Sequence, residues 1–587
     1  MTLTEKIGQM TQAEQRSING PDVRQFFIGS VLSGGSGYPR YNTPRGWVEM
    51  VEEFQEYALE TRLGIPIIYG VDALHGHNTL KGAVIFPHNV GLGATRDPDL
   101  VERVARTTAE EMTPTGIYWN FSPVVAVPQD IRWGRTYEGY GEDTELVSTL
   151  AAAYVRGLQG VDMSTPTSAL ATPKHFVGDG GTEWDSATCT MLGKRCMLDQ
   201  GVTQVDEATL RAIHLPPYEA AIDAGARAIM VSFSSWGGKK MHAHKHLLTD
   251  VLKEELNVEG FLVSEWKGID QIEGDYYSDV VTSINAGIDM VMVPEDYQSF
   301  IHNLTRAVER GDVSMDRIDD AVRRILTVKF ELGLFERPLA DPDLLPTIGS
   351  RAHRELAREA VRKSLVLPKN EGALLPLDKD LPLVFVAEAG ADDIGMQCGG
   401  WTIEWQGKSG AIIPGTTILE AIRQTVSGDT DVVYAKHGVF DGEATAEVGI
   451  AVVGEPPYAE AVGDRADLSL SKEDIDVIRR LQARSQSLVV ILISGRPIIV
   501  TEHLGDWDVL IAAWLPGTEG QGVADLLFGD FPFTGKLSYT WPRSMEQVPL
   551  SAIAGGVEPL FPFGYGLETE QVIDYLHFCW RHSGRYR

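Results

Sequence analysis

The chain has 587 residues, of which 82 are acidic and 51 basic, and its formal net charge is −31 at pH 7. A chain of this length exceeds the size at which one hydrophobic core keeps growing, so we expect two or three domains. The acidic excess repels phosphate backbones and anionic lipids, which argues against binding to nucleic acids or membrane surfaces. Hydrophobic residues at 43% and charged residues at 23% are ordinary for a globular protein and exclude a mainly disordered or fibrous chain.

The first ten residues, MTLTEKIGQM, predict the start of an amphipathic helix and contain no apolar core long enough for a signal peptide. No window approaches the roughly 18 apolar residues of a membrane span. We therefore expect a soluble protein, cytoplasmic as the chain is written, or periplasmic or secreted if a leader has been removed.

Short apolar runs alternate with helical patterns from residue 65 to about residue 294. In one helical pattern, Val101, Val104 and Met112 lie on one face at 3.6-residue spacing. Such alternation is typical of β/α units around a parallel sheet. The runs predicted as strands are 65–70, 118–121, 169–172, 228–232, 261–263 and 288–293.

Polar side chains follow the apolar ends of most of these predicted strands. In a (β/α)8 barrel the active site forms at the carboxyl ends of the strands, so these side chains would converge on one face. They are Asp72 and His75, Arg132 and Arg135, Lys174 and His175, Ser234 and Trp236, and Glu265 and Trp266. The prediction is an α/β fold whose first domain is a TIM-like (β/α)8 barrel.

A second unit follows a connection rich in proline. Between Glu336 and Pro346 three prolines cannot continue the helix predicted over 318–334. Further apolar runs indicate a smaller α/β sandwich with a parallel sheet; they are 383–386, 448–453, 488–493 and 509–513. The predicted organisation is a barrel over 1–336, a linker over 337–350, a sandwich over 351–567 and a C-terminal tail over 568–587.

The four cysteines, Cys189, Cys196, Cys398 and Cys579, form no CxxC pair, which argues against a metal or redox centre. We expect free thiols, with a disulfide between Cys189 and Cys196 as the alternative in an exported protein.

Several long motifs, spread over residues 3–567, together resemble one known family. They are GVDALHGHN at 70–78, FPHNVGLGA at 86–94, RWGRTYE at 132–138, KHF at 174–176, GFLVSEW at 260–266, GGWTIEWQ at 399–406, GEPPYAE at 454–460 and GYGL at 564–567. On these residues the chain resembles glycoside hydrolase family 3, the two-domain β-glucosidases and β-glucan exohydrolases. The resemblance extends over nearly the whole chain.

The resemblance implies a retaining, exo-acting β-glucosidase or β-glucan glucohydrolase that releases glucose from non-reducing ends. It implies that Glu265 is the nucleophile and Glu460 the acid/base, with Glu455 of the same short loop as the alternative. Other motif residues would bind the substrate: Asp72, Arg135, Lys174 and His175 the terminal glucosyl unit, and Trp266 and Trp405 the following sugar. The expected partner is a β-glucoside or β-glucan oligosaccharide; no cofactor, metal, nucleic acid or membrane is expected, and the oligomeric state stays open.

Position 265 departs from the pattern of the family, which usually has aspartate where this chain has glutamate. This departure suggests one alternative, a catalytically impaired homologue that only binds sugar. A separate alternative is a phosphorylase with the same fold. The presence of Glu460 argues against it, because the phosphorylases of this family carry histidine there.

His75 and His77 form a His-x-His pattern, which binds zinc in barrel metallohydrolases. No metal-type pattern of Cys, His or Asp follows on the later predicted strands, so we expect buried, hydrogen-bonded histidines instead. Trp401 and Trp405 are four residues apart and could share a helix face, but the glycines and the glutamine around them favour a loop.

Overall fold

The computed structural model describes residues 1–551 and 558–569 of the chain. Most of the predicted tail, from residue 570 onward, and Cys579 lie outside the described residues. Within the described part, an N-terminal barrel-like domain is followed by an α/β sandwich, so the predicted fold class is confirmed.

The barrel-like domain contains a five-stranded parallel sheet and a two-stranded parallel pair. In spatial order the five strands are Val291–Met292, Thr11–Glu14, Ser30–Ser33, Ile68–Val71 and Trp119–Asn120, and the pair is Phe261–Val263 with Ala228–Met230. Isolated parallel bridges join the two groups: Trp119 with Leu170, Phe176 with Val231, and Val263 with Met290. The ring therefore has eight positions, although the stretch 170–176 is held by single bridges rather than a continuous ladder.

Helices follow the strands around the ring, as the β/α alternation predicts. The helix predicted over 101–112 runs from Pro98 to Met112, and Asp97 caps it by accepting the backbone N–H of Leu100. The helical segments of this domain are Leu3–Gln9, Gly20–Gln25, Pro44–Leu59, Asn89–Thr95, Pro98–Met112, Thr144–Gln159, Glu207–Ile213, Pro216–Asp223, His246–Glu255, Tyr276–Ala286, Tyr297–Arg310 and Met315–Glu331.

Three strand predictions for this domain need correction. The run 169–172 is not a strand, because Pro173 offers no N–H and only Leu170 bridges to the neighbouring strand. The run 65–70 becomes a strand only from Ile68 onward. Thr11–Glu14 and Ser30–Ser33 were missed, since each has four residues and includes polar side chains, which gives no clear apolar pattern.

The second domain is built on a six-stranded sheet flanked by helices. Its strands, in spatial order, are Val366–Asn370, Val509–Trp514, Ser485–Ile493, Ala446–Gly454, Leu383–Ala387 and Asp431–Ala435. The four predicted strands form a parallel sheet with a fifth strand, Asp431–Ala435, that was not predicted. Val366–Asn370, also not predicted, runs antiparallel to Val509–Trp514 at the edge. The helices are Arg351–Ser364, Ile394–Cys398, Ile418–Thr425, Lys472–Gln482 and Gln521–Leu527.

The expectation of free thiols is wrong for two cysteines. Cys189 and Cys196 form a disulfide with their Cα atoms 5.4 Å apart, across the short antiparallel pair Thr190–Met191 and Lys194–Arg195. Cys398 is free and buried. Seven residues of separation and a hairpin between them bring the two thiols together, which spacing alone does not reveal.

Candidate active site

A cavity of about 650 Å³ opens where the carboxyl ends of the barrel strands meet loops of the second domain. Its walls include most of the residues expected to form the site; these are Asp72, Arg135, Lys174, Glu265, Trp266, Trp405 and Glu460. His175 lies behind this wall, where its ring nitrogen Nε2 is 3.2 Å from Glu265 Oε1. Residues from many parts of the chain therefore meet in one interdomain cavity, a common location for ligand sites.

Glu265 follows the buried strand Phe261–Val263 and presents its carboxylate to the cavity. Oε1 lies near His175, and Oε2 accepts the backbone N–H of Trp266 at 2.6 Å. The backbone N–H of Glu265 donates to Nε2 of His242 at 3.0 Å. Main-chain and side-chain contacts together hold the glutamate in one orientation.

Arg135 is buried and joins the two candidate catalytic carboxylates. Its Nη1 donates to Glu460 Oε1 at 3.2 Å and lies 4.0 Å from Glu265 Oε1. The two carboxylate oxygens are therefore no more than about 7 Å apart, which admits the roughly 5 to 5.5 Å of retaining glycosidases. Burial opposes the charge of Arg135, but the carboxylates of Glu138 and Glu460 raise its pKa well above the usual value. The guanidinium stays charged between them.

His175 is fixed by partners on both ring nitrogens. Nδ1 lies 2.9 Å from Asp179 Oδ2, and Nε2 lies 3.2 Å from Arg135 Nη2. Burial, reinforced by the charge of Arg135, lowers the pKa of His175 to about 3, so the ring is neutral. A neutral ring donates from Nδ1 to Asp179 and accepts at Nε2 from Arg135.

Glu460 and Glu455 have opposite environments although five residues separate them. Burial, with further contributions from the charges of Asp199 and Glu265, raises the pKa of Glu460 well above its usual value. Glu455 does not line the cavity; its carboxylate accepts hydrogen bonds from Arg496 at 3.0 and 3.1 Å. Although burial opposes it, Arg496 lowers the pKa of Glu455. The surroundings of Glu460 thus favour a protonated acid that faces the cavity, whereas those of Glu455 favour an ionised carboxylate away from it.

Asp72 and Lys174 form an ion pair in the cavity wall. Lys174 Nζ donates to Asp72 Oδ1 at 2.7 Å, and the lysine side chain is only 1% exposed. Asp72 is more accessible, with 15% of its side chain exposed, and keeps an oxygen free to accept further hydrogen bonds. The pair offers both an acceptor and a charged group to a polar ligand.

Indole rings line the mouth of the cavity against a stretch of bare backbone. A Cβ atom at Gly34 would lie 2.9 Å from the ring of Trp266, and one at Gly35 would lie 2.9 Å from the ring of Trp401. Glycine at both positions lets the indoles pack on the main chain. Trp401 and Trp405 lie outside any helix, as predicted, and both line the cavity.

His75 and His77 are buried and serve as hydrogen-bonding groups. His75 Nδ1 lies 3.0 Å from the carbonyl oxygen of Phe86, and its Nε2 lies 3.2 Å from Thr402 Oγ1. His77 Nε2 lies 3.2 Å from Thr115 Oγ1. Burial lowers the pKa of each histidine to about 3. Among residues 1–551 and 558–569, no group of three or more potential ligands is placed to hold a metal ion.

Two family models match the chain, one for each domain. The model described as the glycosyl hydrolase family 3 N-terminal domain matches residues 2–328, and the corresponding C-terminal domain matches residues 365–569. The chain belongs to glycosyl hydrolase family 3. It is therefore a glycoside hydrolase with the two-domain organisation of that family.

Relatives with known names and structures agree with this membership. A mutant of the exo-1,3/1,4-β-glucanase from a Pseudoalteromonas species superposes with a TM-score of 0.90 at 40% identity, covering 97% of this chain and 93% of that one. A β-glucosidase from Listeria innocua in complex with glucose superposes with a TM-score of 0.82 at 28% identity, covering 97% of this chain and 82% of that one. The lysosomal β-glucosidase of Dictyostelium discoideum is 32% identical over 97% of this chain and 74% of its own length. None of these findings supports the alternative of a homologue that only binds sugar.

Three acidic residues interact with the predicted site residues, although none of the three was itself predicted to form the site. Glu138 holds Arg135 through two hydrogen bonds, at 2.8 and 3.1 Å, and accepts the indole N–H of Trp401 at 3.0 Å. Asp179 orients His175 through a hydrogen bond. Its position four residues after His175 is the feature of the sequence that could have indicated this contact. Asp199 is buried with Oδ2 unpartnered, and burial raises its pKa to about 7. The local sequence gives no indication that Asp199 lies near the site, because the residues around it, such as Trp133 and Asp464, come from distant segments of the chain.

Proposed function

We propose that this protein is a retaining, exo-acting β-glucosidase or β-glucan glucohydrolase that releases glucose from the non-reducing ends of β-glucosides. The observation that carries the proposal is the pairing of Glu265 and Glu460, from different domains, around Arg135 in one cavity. Similar proteins support it, since those named above are an exo-β-glucanase and β-glucosidases.

In the proposed mechanism Glu265 attacks the anomeric carbon while Glu460 transfers its proton to the glycosidic oxygen. The bond to the leaving group breaks, and a glucosyl ester forms on Glu265. Glu460, now ionised, takes a proton from water, which attacks the same carbon and releases both glucose and Glu265. The raised pKa of Glu460 suits this role, because the acid must be protonated at the start of each turnover.

The remaining predicted residues are proposed to bind the sugar. The hydroxyls of the terminal glucosyl unit would meet Asp72, Lys174, Arg135 and His175. The charges of the first three strengthen hydrogen bonds to these hydroxyls. Trp266 and Trp405 would pack against the CH-rich faces of the following sugar. This arrangement supports a β-glucoside or β-glucan oligosaccharide as the substrate.

Two measurements test the reaction. Proton NMR of the glucose first released from 4-nitrophenyl β-glucoside should show the β-anomer before mutarotation, as retention requires. Incubation with an activated 2-fluoroglucoside, followed by peptide mass analysis, should place the covalent label on Glu265. Initial α-glucose, or a label on another residue such as Asp270, would contradict the mechanism.

The acid/base assignment has its own test. Glu460→Gln should lower kcat/KM for laminaribiose by about a hundredfold or more but barely change it for 2,4-dinitrophenyl β-glucoside, whose leaving group needs no proton. Glu455→Gln, which disturbs the ion pair with Arg496, should affect both substrates to the same extent. An equal loss on both substrates in Glu460→Gln would remove this residue from the acid/base role.

The proposal extends to the compartment in which the protein acts. No helix in the described ranges 1–551 and 558–569 is long and apolar enough to cross a membrane. Relatives are named lysosomal in Dictyostelium discoideum and periplasmic in Salmonella typhimurium. With the disulfide between Cys189 and Cys196, these names favour an oxidising compartment. Fractionation of the source cells, with activity assayed in each fraction, tests this location.

A further inference from the structure

The turn that carries Glu460 has a backbone conformation that needs external support. Residues 460–463 form one short 3-10 turn, and Asp464 is the residue that ends it. Glu460 has a φ angle of 54°, in the left-handed region that side chains other than glycine seldom adopt. Such a conformation persists where the surrounding structure determines it. The support should therefore come from contacts beyond the turn.

Asp464 supplies such contacts through its buried carboxylate. Oδ1 accepts the backbone N–H of Gly134 at 2.9 Å. Oδ2 accepts the N–H groups of Met197 and Leu198 at 2.9 Å each and that of Asp199 at 3.1 Å. The four donors belong to the barrel domain and the acceptor to the second domain, and hydrogen bonds to a charged acceptor are roughly twice as strong as neutral ones. This carboxylate therefore joins the two domains beside the site.

The contact at Gly134 reaches the reacting groups directly. Gly134 precedes Arg135, the residue whose guanidinium donates to Glu460. A Cβ atom at Gly134 would lie 1.9 Å from the carbonyl oxygen of Glu460 and 2.8 Å from Cα of Gly463. The turn thus packs on bare backbone at this point. A shift of Asp464 away from Gly134 would move Glu460 relative to Arg135.

The disulfide-linked hairpin holds the same turn from another side. Lys194 Nζ donates to the carbonyl oxygens of Val462 and Asp464, both at 2.7 Å. Cys196 packs with Ala461 in a small apolar cluster. Lys194 itself is exposed, so its side chain can be changed without opening a buried site.

We propose that Asp464 is a positioning residue for the acid/base, holding the Glu460 turn so that its carboxyl group meets the leaving-group oxygen in a buried setting. This inference rests on the proposed function, because it takes Glu460 as the acid/base. Asp464 does not line the cavity and would act on the substrate only through Glu460. The hairpin bonds of Lys194 assist in the same task.

Asp464→Asn tests the proposal with little change of shape. One carboxylate oxygen becomes an NH2 group, which faces N–H donors and cannot accept from them. We expect kcat/KM for laminaribiose to fall by about tenfold to a hundredfold, as for a misplacement near 1 Å. For 2,4-dinitrophenyl β-glucoside the fall should be less than about threefold, because this leaving group departs without a proton. The alkaline limb of the laminaribiose profile should move to lower pH, since burial is the main cause of the raised pKa of Glu460.

A matched control and a milder variant complete the experiment. Asp467→Asn makes the same change at an exposed carboxylate, which accepts one backbone N–H, from Ser469. This control should leave kcat/KM unchanged for both substrates. Lys194→Met changes an exposed side chain and removes its two hydrogen bonds to the turn. It should also lower kcat/KM selectively for laminaribiose, but by a smaller factor. It keeps the proposal testable if Asp464→Asn does not fold.

The outcomes separate this inference from the proposed function. The inference is overturned if Asp464→Asn and Lys194→Met lower kcat/KM equally for the two substrates. It is also overturned if they leave the alkaline limb of the pH profile for laminaribiose unmoved. Asp464 would then have only a structural role. If Glu460→Gln itself shows no selectivity for the leaving group, the acid/base assignment fails instead. If kcat/KM falls selectively for laminaribiose in Asp464→Asn, Lys194→Met and Glu460→Gln, the result supports both the positioning role of Asp464 and the acid/base assignment of Glu460.

Discussion

Glu265, the proposed nucleophile, stands where the resemblance to family 3 implies an aspartate. Glutamate is one methylene longer than aspartate, and Oε2 is turned toward the backbone N–H of Trp266. A reacting carboxylate misplaced by about 1 Å costs roughly a hundredfold in rate. We expect Glu265→Asp to raise kcat about tenfold to a hundredfold, which is about 1.4 to 2.7 kcal/mol of barrier.

Steady-state kinetics with laminaribiose and glucose binding by calorimetry check this prediction. Glucose affinity should change little, because the sugar-binding side chains are unaltered. Glu273→Asp shortens an exposed acid in the same way and should have no effect. A slower Glu265→Asp enzyme would show instead that the pocket is adapted to the longer side chain.

Asp72 has a different role in our proposal, since it would bind the sugar in the ground state and in the transition state. Asp72→Ala removes an acceptor for sugar hydroxyls and also the carboxylate that pairs with buried Lys174. Losing hydrogen bonds from the sugar hydroxyls to this charged acceptor costs about 3 kcal/mol at the transition state, so kcat/KM should fall roughly a hundredfold or more. Glucose affinity should fall with it. Unchanged catalytic efficiency in this variant would remove Asp72 from the site.

Among the elements, helix Arg351–Ser364 docks on barrel helix Pro98–Met112 through a histidine between two carboxylates. His353 Nδ1 lies 2.8 Å from Glu111 Oε1, and Nε2 lies 3.3 Å from Glu110 Oε2. Burial opposes protonation, but the hydrogen bonds to Glu110 and Glu111 raise the pKa of His353 to about 9. The folded pKa exceeds the unfolded value of about 6.5, so the stabilisation is complete below about pH 6.5 and is lost as pH rises through about 9.

His353→Gln should therefore lower the free energy of unfolding by about 1 to 2 kcal/mol at pH 6, after allowance for partial solvent screening. The difference from the wild type should shrink above pH 9. Urea unfolding at a series of pH values measures both quantities. His302→Gln, at an exposed histidine, serves as the control and should show neither effect. A difference that is constant from pH 6 to pH 10 would contradict the charged pairing.

At the scale of the whole molecule, the two domains share buried contacts that should make them unfold together. Arg496, which is fully buried, pairs with Glu455 and donates to the barrel carbonyl oxygens of Ile131, Arg132 and Trp133. One apolar cluster combines strands of the second domain with barrel residues such as Trp133. Interfaces that are large and hydrophobic couple domains, whereas small polar ones leave them independent.

We therefore expect a single calorimetric transition in which the measured and van't Hoff enthalpies agree. Arg496→Met should lower the free energy of unfolding by about 3 kcal/mol, because it removes the buried partner of Glu455 and leaves only the partly exposed Arg465 to pair with that carboxylate. Scanning calorimetry, repeated with tryptophan fluorescence, tests both expectations. Two resolved transitions in the wild type would show that the domains unfold independently.

The amino-acid sequence by itself determined the order of the β/α units, the presence of two α/β domains and the membership of the family. Apolar runs such as Phe261–Val263 and long motifs are local properties, so they can be recognised before folding. Short strands with polar side chains, such as Thr11–Glu14, escaped prediction because their pairing depends on neighbours far along the chain.

Only the tertiary structure decided which charged group meets which. Glu455 and Glu460 belong to one short loop, yet Arg496 neutralises the first, and Arg135, 325 residues away, meets the second at the cavity wall. Asp464 likewise meets its hydrogen-bond donors, and Cys189 meets Cys196, only through the folded structure. Burial and long-range partners set the pKa and the orientation of a side chain, and neither is a property of the residues next to it in sequence.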